Sequence, residues 1–395
     1  MPQRPRLKRG VGAALSPFLA MEVAAKANAA ERARVEGARR VLRLEVGQPG
    51  TGAPGAAVAA AARALGEGTA LGYTEAFGLR SLRRRIAEHY REFYGAALPF
   101  ERIAVSTGAS GGFLLAFLAA FDPGDRVAMA TPFYPPYRNI LLALGMRPVL
   151  LDTGEGERFQ PTVAALRALA DTPDGLPDGL IVASPCNPAG TCLSADELRE
   201  LAAFCHAEGV RLVSDEIYHG LNWVEPPHSA CAVSDSALVV NSFSKYWSMT
   251  GWRVGWVVLP EDLADTALRL KQNLFISAPH VSQVAAEAAM GAGDEVEDNL
   301  RRYRRSRDAL LGGLRRAGFG TIAPPQGAFY LWAALPGTER SPDFCDRLLR
   351  DAAVAATPGV DFDPAQGGGF VRFSYCGAEA DIAEAADRLA AFPLR

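Results

Sequence analysis

Cysteine and histidine are scarce in this chain, and their positions do not form a metal-binding pattern. The 395 residues include six cysteines and five histidines. No two cysteines have the Cys-x-x-Cys spacing, and none stands at a metal-ligand spacing from a histidine. We therefore expect no bound metal, reduced thiols and a cytoplasmic location.

Long apolar runs and an excess of charge of one sign are also lacking. No run reaches the roughly 20 apolar residues that a membrane-spanning helix requires. The basic start followed by apolar residues 11–21 imitates a secretory signal, but Pro17 and Glu22 interrupt the pattern, so we interpret it as mature protein. The 41 basic and 44 acidic residues give a net charge of −3. The sequence thus indicates neither a membrane protein nor a nucleic-acid-binding protein.

Strand-like apolar segments alternate with amphipathic helices through the middle of the chain. Candidate strands cover residues 103–105, 126–130, 148–151, 180–183, 212–214, 238–240 and 254–259. A helix over 194–208 has a capping box formed by Ser194 and Glu197. Strands separated by helices predict an α/β fold, with a mostly parallel sheet that helices cover on both faces.

The chain is also longer than a single core of about 150 residues, so we expect two lobes. Terminal strands over 329–335 and 370–375 lie among helix-rich segments. They predict a smaller α+β domain that combines the C-terminal third with the N-terminal arm. We divide the chain into residues 1–45, the arm and part of the small domain; 46–285, the large domain; and 286–395, the C-terminal small domain.

Lys245 stands in a segment that combines an amine with phosphate-binding side chains. Ser242 and Ser244 precede it, and Arg253 follows eight residues later. An amine can form an imine with an aldehyde, while hydroxyls and a forked guanidinium can hold a phosphate. The pattern indicates a phosphorylated aldehyde cofactor. Most lysines beside serine-rich turns are simply solvated, so the interpretation depends on the residues that accompany this one.

Three polar residues follow apolar strands in the same region. Asn187 comes after the strand over 180–183, and Asp215 and Tyr218 come after the strand over 212–214. Open α/β sheets bind ligands at the carboxyl ends of their strands, which is where these side chains fall. Alone, Asp215 would fit a capping or turn acid, but its position between Asn187 and Lys245 favours a ligand.

A glycine-rich turn and an aromatic segment extend the pattern. Gly108, Ala109 and Ser110 follow the strand over 103–105 and open a helix whose free N–H groups would bind a phosphate. Tyr134 lies in the proline-bounded segment 132–137, next to Phe133, and could stack on a ring. A glycine-rich turn alone is weak evidence for a phosphate site, and aromatic turns are common. The interpretation therefore depends on the order of these motifs along the chain.

Arg372 and Gly47 complete the candidate site. Arg372 stands among apolar residues of the strand over 370–375, where it needs an anionic partner. A substrate carboxylate would supply that partner through two N–H donors, and an internal salt bridge is the alternative. Gly47 lies in the segment 44–49, and Tyr73 lies in the segment 72–78.

In this order, from about Ser16 to Tyr375, the motifs resemble those of the class I and II, fold-type-I aminotransferases, which use pyridoxal 5′-phosphate. The resemblance implies a Schiff base between the cofactor and Lys245, whose amine also shuttles the proton at the substrate Cα. It implies that Asp215 pairs with the pyridine nitrogen and that Tyr218 and Asn187 hydrogen-bond the phenolic oxygen. It also implies that Tyr134 stacks on the ring.

The resemblance further implies contacts with the substrate and with a second subunit. Arg372 would bind the α-carboxylate, and the backbone of Gly47 would lie beside the substrate. Tyr73 would reach the phosphate of the neighbouring subunit, so we expect a homodimer. No obvious second arginine offers a clamp for a distal carboxylate, and Leu15, Phe18 and Tyr73 could form an apolar wall. These features favour neutral or aromatic amino donors.

The predicted function is transfer of an amino group from an amino acid to a 2-oxo acid. Related fold-type-I enzymes use nearly the same residues for β-elimination, as in C–S lyases, or for decarboxylation, so these reactions stay open. A regulator that binds the cofactor is a non-enzymatic alternative. Only an arm without a helix-turn-helix pattern precedes Gly47, which disfavours the regulator. An α/β binding module without cofactor is a third possibility.

Overall fold

A seven-stranded sheet forms the centre of the computed structural model, which describes residues 7–68 and 70–394. The strands of the chain up to residue 258 are β1 (Leu42–Arg43), β2 (Ile103–Ser106), β3 (Arg126–Thr131), β4 (Arg147–Asp152), β5 (Gly179–Ala183), β6 (Arg211–Asp215), β7 (Leu238–Ser242) and β8 (Gly255–Val258). The sheet has the order β2-β8-β7-β6-β5-β3-β4. Strand β8 runs antiparallel to both neighbours, and the other pairs are parallel. This arrangement confirms the predicted, mostly parallel sheet.

Both faces of this sheet are buried, which explains the near-continuous apolar sequence of its strands. Successive residues of β7 show the alternation, since Val239 belongs to one apolar cluster and Val240 to the other. The helices are α1 (Leu19–Arg32), α2 (Gly55–Gly66), α3 (Arg80–Tyr94), α4 (Gly108–Ala120), α5 (Pro135–Ala143), α6 (Val163–Ala170), α7 (Ala195–Ala207), α8 (Ala264–Leu274), α9 (His280–Ala289), α10 (Gly293–Arg316), α11 (Ser341–Ala352) and α12 (Glu379–Ala390). Helix α4 packs on β7 and β8 from one side, and α3 and α9 contribute to the opposite cluster.

The capping box predicted for α7 is present. Ser194 Oγ accepts from the Glu197 backbone N–H at 3.3 Å, and Glu197 Oε2 accepts from the Ser194 N–H at 2.8 Å. Two N–H groups of the first turn are thereby satisfied, which fixes the start of the helix where the sequence predicts it.

Shorter strands near the C-terminus form a second unit with α10, α11 and α12. They are β9 (Tyr330–Ala334), β10 (Val354–Ala355), β11 (Thr357–Pro358) and β12 (Phe370–Ser374). Strands β11, β12 and β9 make an antiparallel sheet, and β10 pairs in parallel with β1 from the N-terminal segment. A separate apolar cluster fills this unit. The domain boundaries at residues 45 and 285 stay a prediction.

Across residues 7–68 and 70–394, no helix is both long enough and apolar enough to cross a membrane.

Candidate active site

A cavity of about 270 Å³ lies at the carboxyl edge of the large sheet. Most of the residues that sequence analysis singled out line it together: Gly47, Ala109, Ser110, Tyr134, Asn187, Asp215, Tyr218, Ser244, Lys245, Arg253 and Arg372. Gly108, Ser242 and Tyr73 do not line it. The sheet explains the convergence, because β5, β6 and β7 are parallel neighbours whose carboxyl ends share one edge.

Lys245 lines this cavity. It stands on the loop between β7 and β8, and its Nζ donates to the backbone oxygen of Gly47 at 2.6 Å. Burial lowers the pKa of this amine to about 8, and the charges of Arg372 and Arg253 act in the same direction. Near physiological pH a larger fraction of this amine is neutral than of an ordinary lysine, which makes it a better nucleophile.

Asp215 presents a buried carboxylate from the last position of β6. It is 5% exposed. Its Oδ1 accepts from the Ile217 N–H at 3.0 Å, and its Oδ2 accepts from the Tyr137 hydroxyl. Burial raises the pKa of this carboxyl to about 6, against the lowering effect of the two hydrogen bonds. A cationic group placed beside Asp215 would therefore be bound strongly.

Sequence analysis missed Tyr137 as a site residue. Tyr134 is the residue before α5, and Tyr137 follows one helical turn later, so both rings face the cavity and meet edge to face at 5.3 Å. The signal was present in the sequence, because residues three apart at the start of a helix lie on the same side.

The start of α4, Ser244 and Arg253 form an anion-binding corner. Ala109 and Ser110 lie in the first turn of α4, where backbone N–H groups have no intrahelical acceptor. Gly108 has a φ of +70°, a left-handed conformation that favours glycine, and the Arg253 guanidinium lies directly beside it. Ser242 lies one layer behind, with its Oγ 2.9 Å from Ser244 Oγ and donating to the Val254 oxygen at 3.0 Å.

Arg372 is 2% exposed and holds its guanidinium between two aromatic rings. The guanidinium carbon lies 4.5 Å from the centre of the Tyr330 ring and 4.6 Å from that of Phe362. Nη1 donates to Asn187 Oδ1 at 2.9 Å, and Nη2 donates to Thr357 Oγ1 at 3.2 Å. These partners are neutral, and the buried Nε has no partner in the described part of the chain. A bound carboxylate would supply the anionic partner that this guanidinium needs.

Tyr330 was also missed from the sequence. It stands on β9, its hydroxyl lies 2.8 Å from that of Tyr218, and a Cβ on Gly47 would overlap it. Gly47 is therefore required because Tyr330 comes so close to the backbone. An aromatic residue in an apolar strand carries no distinguishing signal, so sequence reasoning had nothing to find it by.

The mouth of the cavity is apolar and includes part of the N-terminal arm. Phe18, Met21 and Ile140 line it, and the Phe18 ring meets Tyr134 edge to face at 5.9 Å. Leu15 is not among the lining residues. Tyr73 is 82% exposed and lies outside the cavity of its own chain.

The family description "Aminotransferase class I and II" matches residues 39–389. The chain belongs to this family. This aminotransferase is 47% identical to the valine–pyruvate aminotransferase of Mycobacterium tuberculosis, over 98% of each chain.

Solved aminotransferase structures agree with this assignment. A crystal structure of an aminotransferase from Mycobacterium tuberculosis superposes with a TM-score of 0.92 at 44% identity, covering 98% of this chain and 99% of that chain. Aspartate aminotransferase from Thermus thermophilus, solved with maleate, gives a TM-score of 0.89 at 31% identity and covers 98% and 100% of the two chains. The protein is an aminotransferase that moves an amino group from an amino acid to a 2-oxo acid, and transamination is thereby confirmed over the lyase, decarboxylase and regulator alternatives.

Proposed function

We propose that the enzyme uses pyridoxal 5′-phosphate to transfer the amino group of an amino acid with an uncharged side chain, such as valine. The acceptor would be a 2-oxo acid that likewise has no second carboxylate, such as pyruvate. The observation that carries this proposal is one cavity in which an amine, a buried carboxylate, an anion-binding corner and a buried arginine all meet. The 47% identical relative named valine–pyruvate aminotransferase supports the choice of substrates.

The residues present fit this cofactor. The bound cofactor supplies an aldehyde that captures amines and a ring that withdraws electrons from the substrate Cα. Lys245 would hold the aldehyde, and the corner of Ala109, Ser110, Ser244 and Arg253 would hold the phosphate. The Arg253 guanidinium lies beside Gly108 at the start of α4, so guanidinium and backbone N–H donors meet at this corner, which supports the assignment.

Other side chains would hold the ring. Asp215 would keep the pyridine nitrogen cationic, because an opposite charge favours the charged form of each partner. Asn187 Oδ1 accepts a hydrogen bond from Arg372. The amide nitrogen on the other side of the Asn187 side chain is therefore left to donate to the phenolic oxygen. The Tyr218 hydroxyl would donate to the same oxygen, and Tyr134 would pack against the ring face.

The substrate would be held at two points and deprotonated at a third. Arg372 would bind the α-carboxylate through its guanidinium. The amine of Lys245 would then take the proton from the Cα of the amino donor. In the return half-reaction it would deliver a proton to the Cα of the accepting 2-oxo acid. The amino-acid side chain would point to the mouth, against Phe18, Met21 and Ile140.

Selection of neutral substrates follows from the charges in the cavity. The basic side chains that line it in the described chain are Lys245, Arg253 and Arg372. Each already has a role with the cofactor or the α-carboxylate. A donor with a second carboxylate would therefore place a charge against apolar residues of the mouth without a partner, which is costly.

A panel of donors tests this proposal. Single-turnover reactions of the holoenzyme with valine, alanine, phenylalanine and aspartate would be followed by cofactor absorbance, and pyruvate would be compared with 2-oxoglutarate in the return reaction. We expect kcat/KM for valine to exceed that for aspartate by at least about 100-fold, because an unpaired buried charge is strongly disfavoured. Equal or faster reaction of aspartate would contradict the neutral-donor assignment.

The lowered pKa of Lys245 predicts the pH dependence of cofactor capture. Below its pKa, the neutral fraction of an amine rises about tenfold per pH unit. The rate of capture by the apoenzyme should therefore rise up to about pH 8 and then level off. A lysine with its usual pKa of 10.5 would give a rate that keeps rising beyond this point. Stopped-flow absorbance measures the profile, and a continued rise to the highest stable pH would contradict the lowered pKa.

We also propose that the enzyme works as a homodimer that completes its sites across the interface. Large apolar side chains remain exposed on the single chain: Val11 at 59%, Met21 at 59%, Tyr73 at 82%, Leu274 at 51% and Ile276 at 49%. A partner that covers them would remove this surface from water. In such a dimer Tyr73 would reach the cofactor phosphate of the partner subunit.

Mixing two inactive or weakened variants tests the shared site. A hybrid of Lys245→Ala and Tyr73→Phe subunits would contain one site with both changes and one site with neither. We expect activity after subunit exchange to exceed the mean of the two parents, because the intact site appears only in the hybrid. Ultracentrifugation supplies the control for oligomeric state. A fully active monomer at assay concentration would eliminate the proposal.

A cytoplasmic location is a further proposal, which the cysteines support. All six are free thiols. Burial raises the pKa values of the Cys186 and Cys192 thiols to about 12, so these groups stay protonated and unreactive. Free, inert thiols are typical of proteins in a reducing compartment.

A further inference from the structure

The first turn of α1 is capped by a carboxylate from the far end of the sequence. Asp361 Oδ1 accepts from the Leu19 N–H and Oδ2 accepts from the Ala20 N–H, both at 3.0 Å. Phe18, the residue before the helix, makes no side-chain cap of its own. The two orphan N–H groups and the positive end of the helix are therefore held by Asp361, which is 9% exposed.

The same helical turn forms the roof of the substrate cavity. Phe18, Ala20 and Met21 line its mouth, and the Phe18 ring packs edge to face on Tyr134 at 5.9 Å. The position of these side chains depends on where α1 begins, because a helical start fixes the direction of each residue in its first turn. The carboxylate that anchors the start of α1 thus also sets the position of the roof.

Asp361 belongs to the segment that supports Arg372. It ends a 3-10 turn, Gly359–Asp361, which follows β11. Thr357 of β11 stands opposite Arg372 of β12 and accepts a hydrogen bond from it. The residue after Asp361, Phe362, packs its ring on the Arg372 guanidinium. One short segment therefore connects the arginine that would bind the α-carboxylate to the roof over the substrate side chain.

We propose that Asp361 is a positioning residue that sets the selectivity of the enzyme for larger apolar amino acids. By fixing α1, it seats Phe18 over the mouth, where a branched or aromatic side chain gains apolar contact and a methyl group gains little. The inference rests on the proposed use of neutral donors. It adds the residue that makes the enzyme distinguish among them.

The variant Asp361→Asn tests this role in the holoenzyme. The amide nitrogen cannot accept a hydrogen bond, so one of the two contacts with α1 becomes a clash of donors. We expect kcat/KM for valine to fall about tenfold and that for alanine to change less than about twofold, which is the range that a few apolar contacts supply. Glu295→Gln is the matched control, because Glu295 accepts from the first N–H of α2 away from the cavity. It should leave the valine-to-alanine ratio unchanged.

A pair of variants on the helix side makes the test independent of Asp361 itself. Leu19→Pro removes the N–H that Asp361 Oδ1 accepts, and proline is tolerated at the first position of a helix. The extended backbone of Phe18 (φ −89°, ψ 101°) is compatible with a following proline. We expect Leu19→Pro to lower the valine-to-alanine ratio, whereas Leu19→Ala, which keeps the N–H, should not.

A double-mutant cycle with Phe18→Ala identifies the route of the effect. If Asp361 acts through the roof, Asp361→Asn should add little to the loss of selectivity already caused by Phe18→Ala. Unchanged selectivity in Asp361→Asn and Leu19→Pro, or independent effects in the cycle, would overturn the inference while leaving the proposed function intact. A wild-type enzyme that does not convert valine or phenylalanine would overturn both.

Discussion

Replacement of Lys245 by alanine is expected to reduce turnover by at least about 10⁴-fold, because it removes both the covalent attachment and the proton carrier. The anion-binding corner is left in place, so the variant should still retain the cofactor through its phosphate. Single-turnover rates with valine measure the loss, and absorbance after dialysis measures retention.

Lys271 provides the matched control for Lys245. It is 2% exposed, burial lowers the pKa of its amine to about 8, and its Nζ donates to the Val105 oxygen outside the cavity. Both amines therefore have a lowered pKa, but Lys271 lies outside the cavity. Lys271→Met should keep turnover within a few-fold of wild type. If Lys271→Met lost turnover and Lys245→Ala stayed active, Lys271 would be the catalytic lysine and the assignment of Lys245 would be refuted.

Replacement of Asp215 by asparagine is expected to slow the reaction with amino acid by at least about 100-fold, as removal of a strong electrostatic contact does in other active sites. The neutral amide cannot favour a cationic pyridine nitrogen, and a neutral ring withdraws electrons from the substrate Cα less strongly. Rapid-mixing kinetics of the single turnover measure the change, and Asp215→Ala should behave in the same way.

Tyr137→Phe separates the charge of Asp215 from its hydrogen bond. This variant removes the hydroxyl that donates to Oδ2 but keeps the carboxylate. Tyr137→Phe should lower the single-turnover rate far less than Asp215→Asn does, because the charge opposite the ring nitrogen remains. Rates in Asp215→Asn close to those of wild type would exclude the role of Asp215.

The positions of Asn187, Asp215 and Lys245 could be predicted because each depends on local sequence. An apolar run predicts a buried strand, and the polar residue that follows it lies at the carboxyl edge of the sheet. Since β5, β6 and β7 are adjacent and parallel, these three residues meet at one edge of the sheet. Local sequence predicted that placement, whereas their selection as site residues depended on the order of the motifs along the chain.

The surroundings of Arg372 could not be predicted in the same way. Its contact with Asn187 joins residues 185 positions apart, and the packing of Tyr330 on its guanidinium requires the fold of the second unit. Asp361 is another example, because nothing near it in sequence shows that it caps a helix more than 300 residues away. Long-range contacts of this kind leave no local pattern.

The sequence also could not show which serine of the anion-binding corner faces the cavity. Ser242 and Ser244 are two residues apart and chemically alike, yet Ser244 lines the cavity while Ser242 hydrogen-bonds to it from behind. The end of β7 at Ser242 makes the difference, because the backbone turns there and no longer alternates like a strand.

Borohydride reduction of the holoenzyme, followed by peptide mapping, tests most directly whether Lys245 carries the aldehyde cofactor. Reduction converts the bond between the amine and the aldehyde into a stable link, so the labelled peptide identifies the lysine. The cavity geometry predicts label on the peptide that contains Lys245 and none on the peptide that contains Lys271. Label on any other lysine, or no label on a protein that still transaminates, would contradict the assignment.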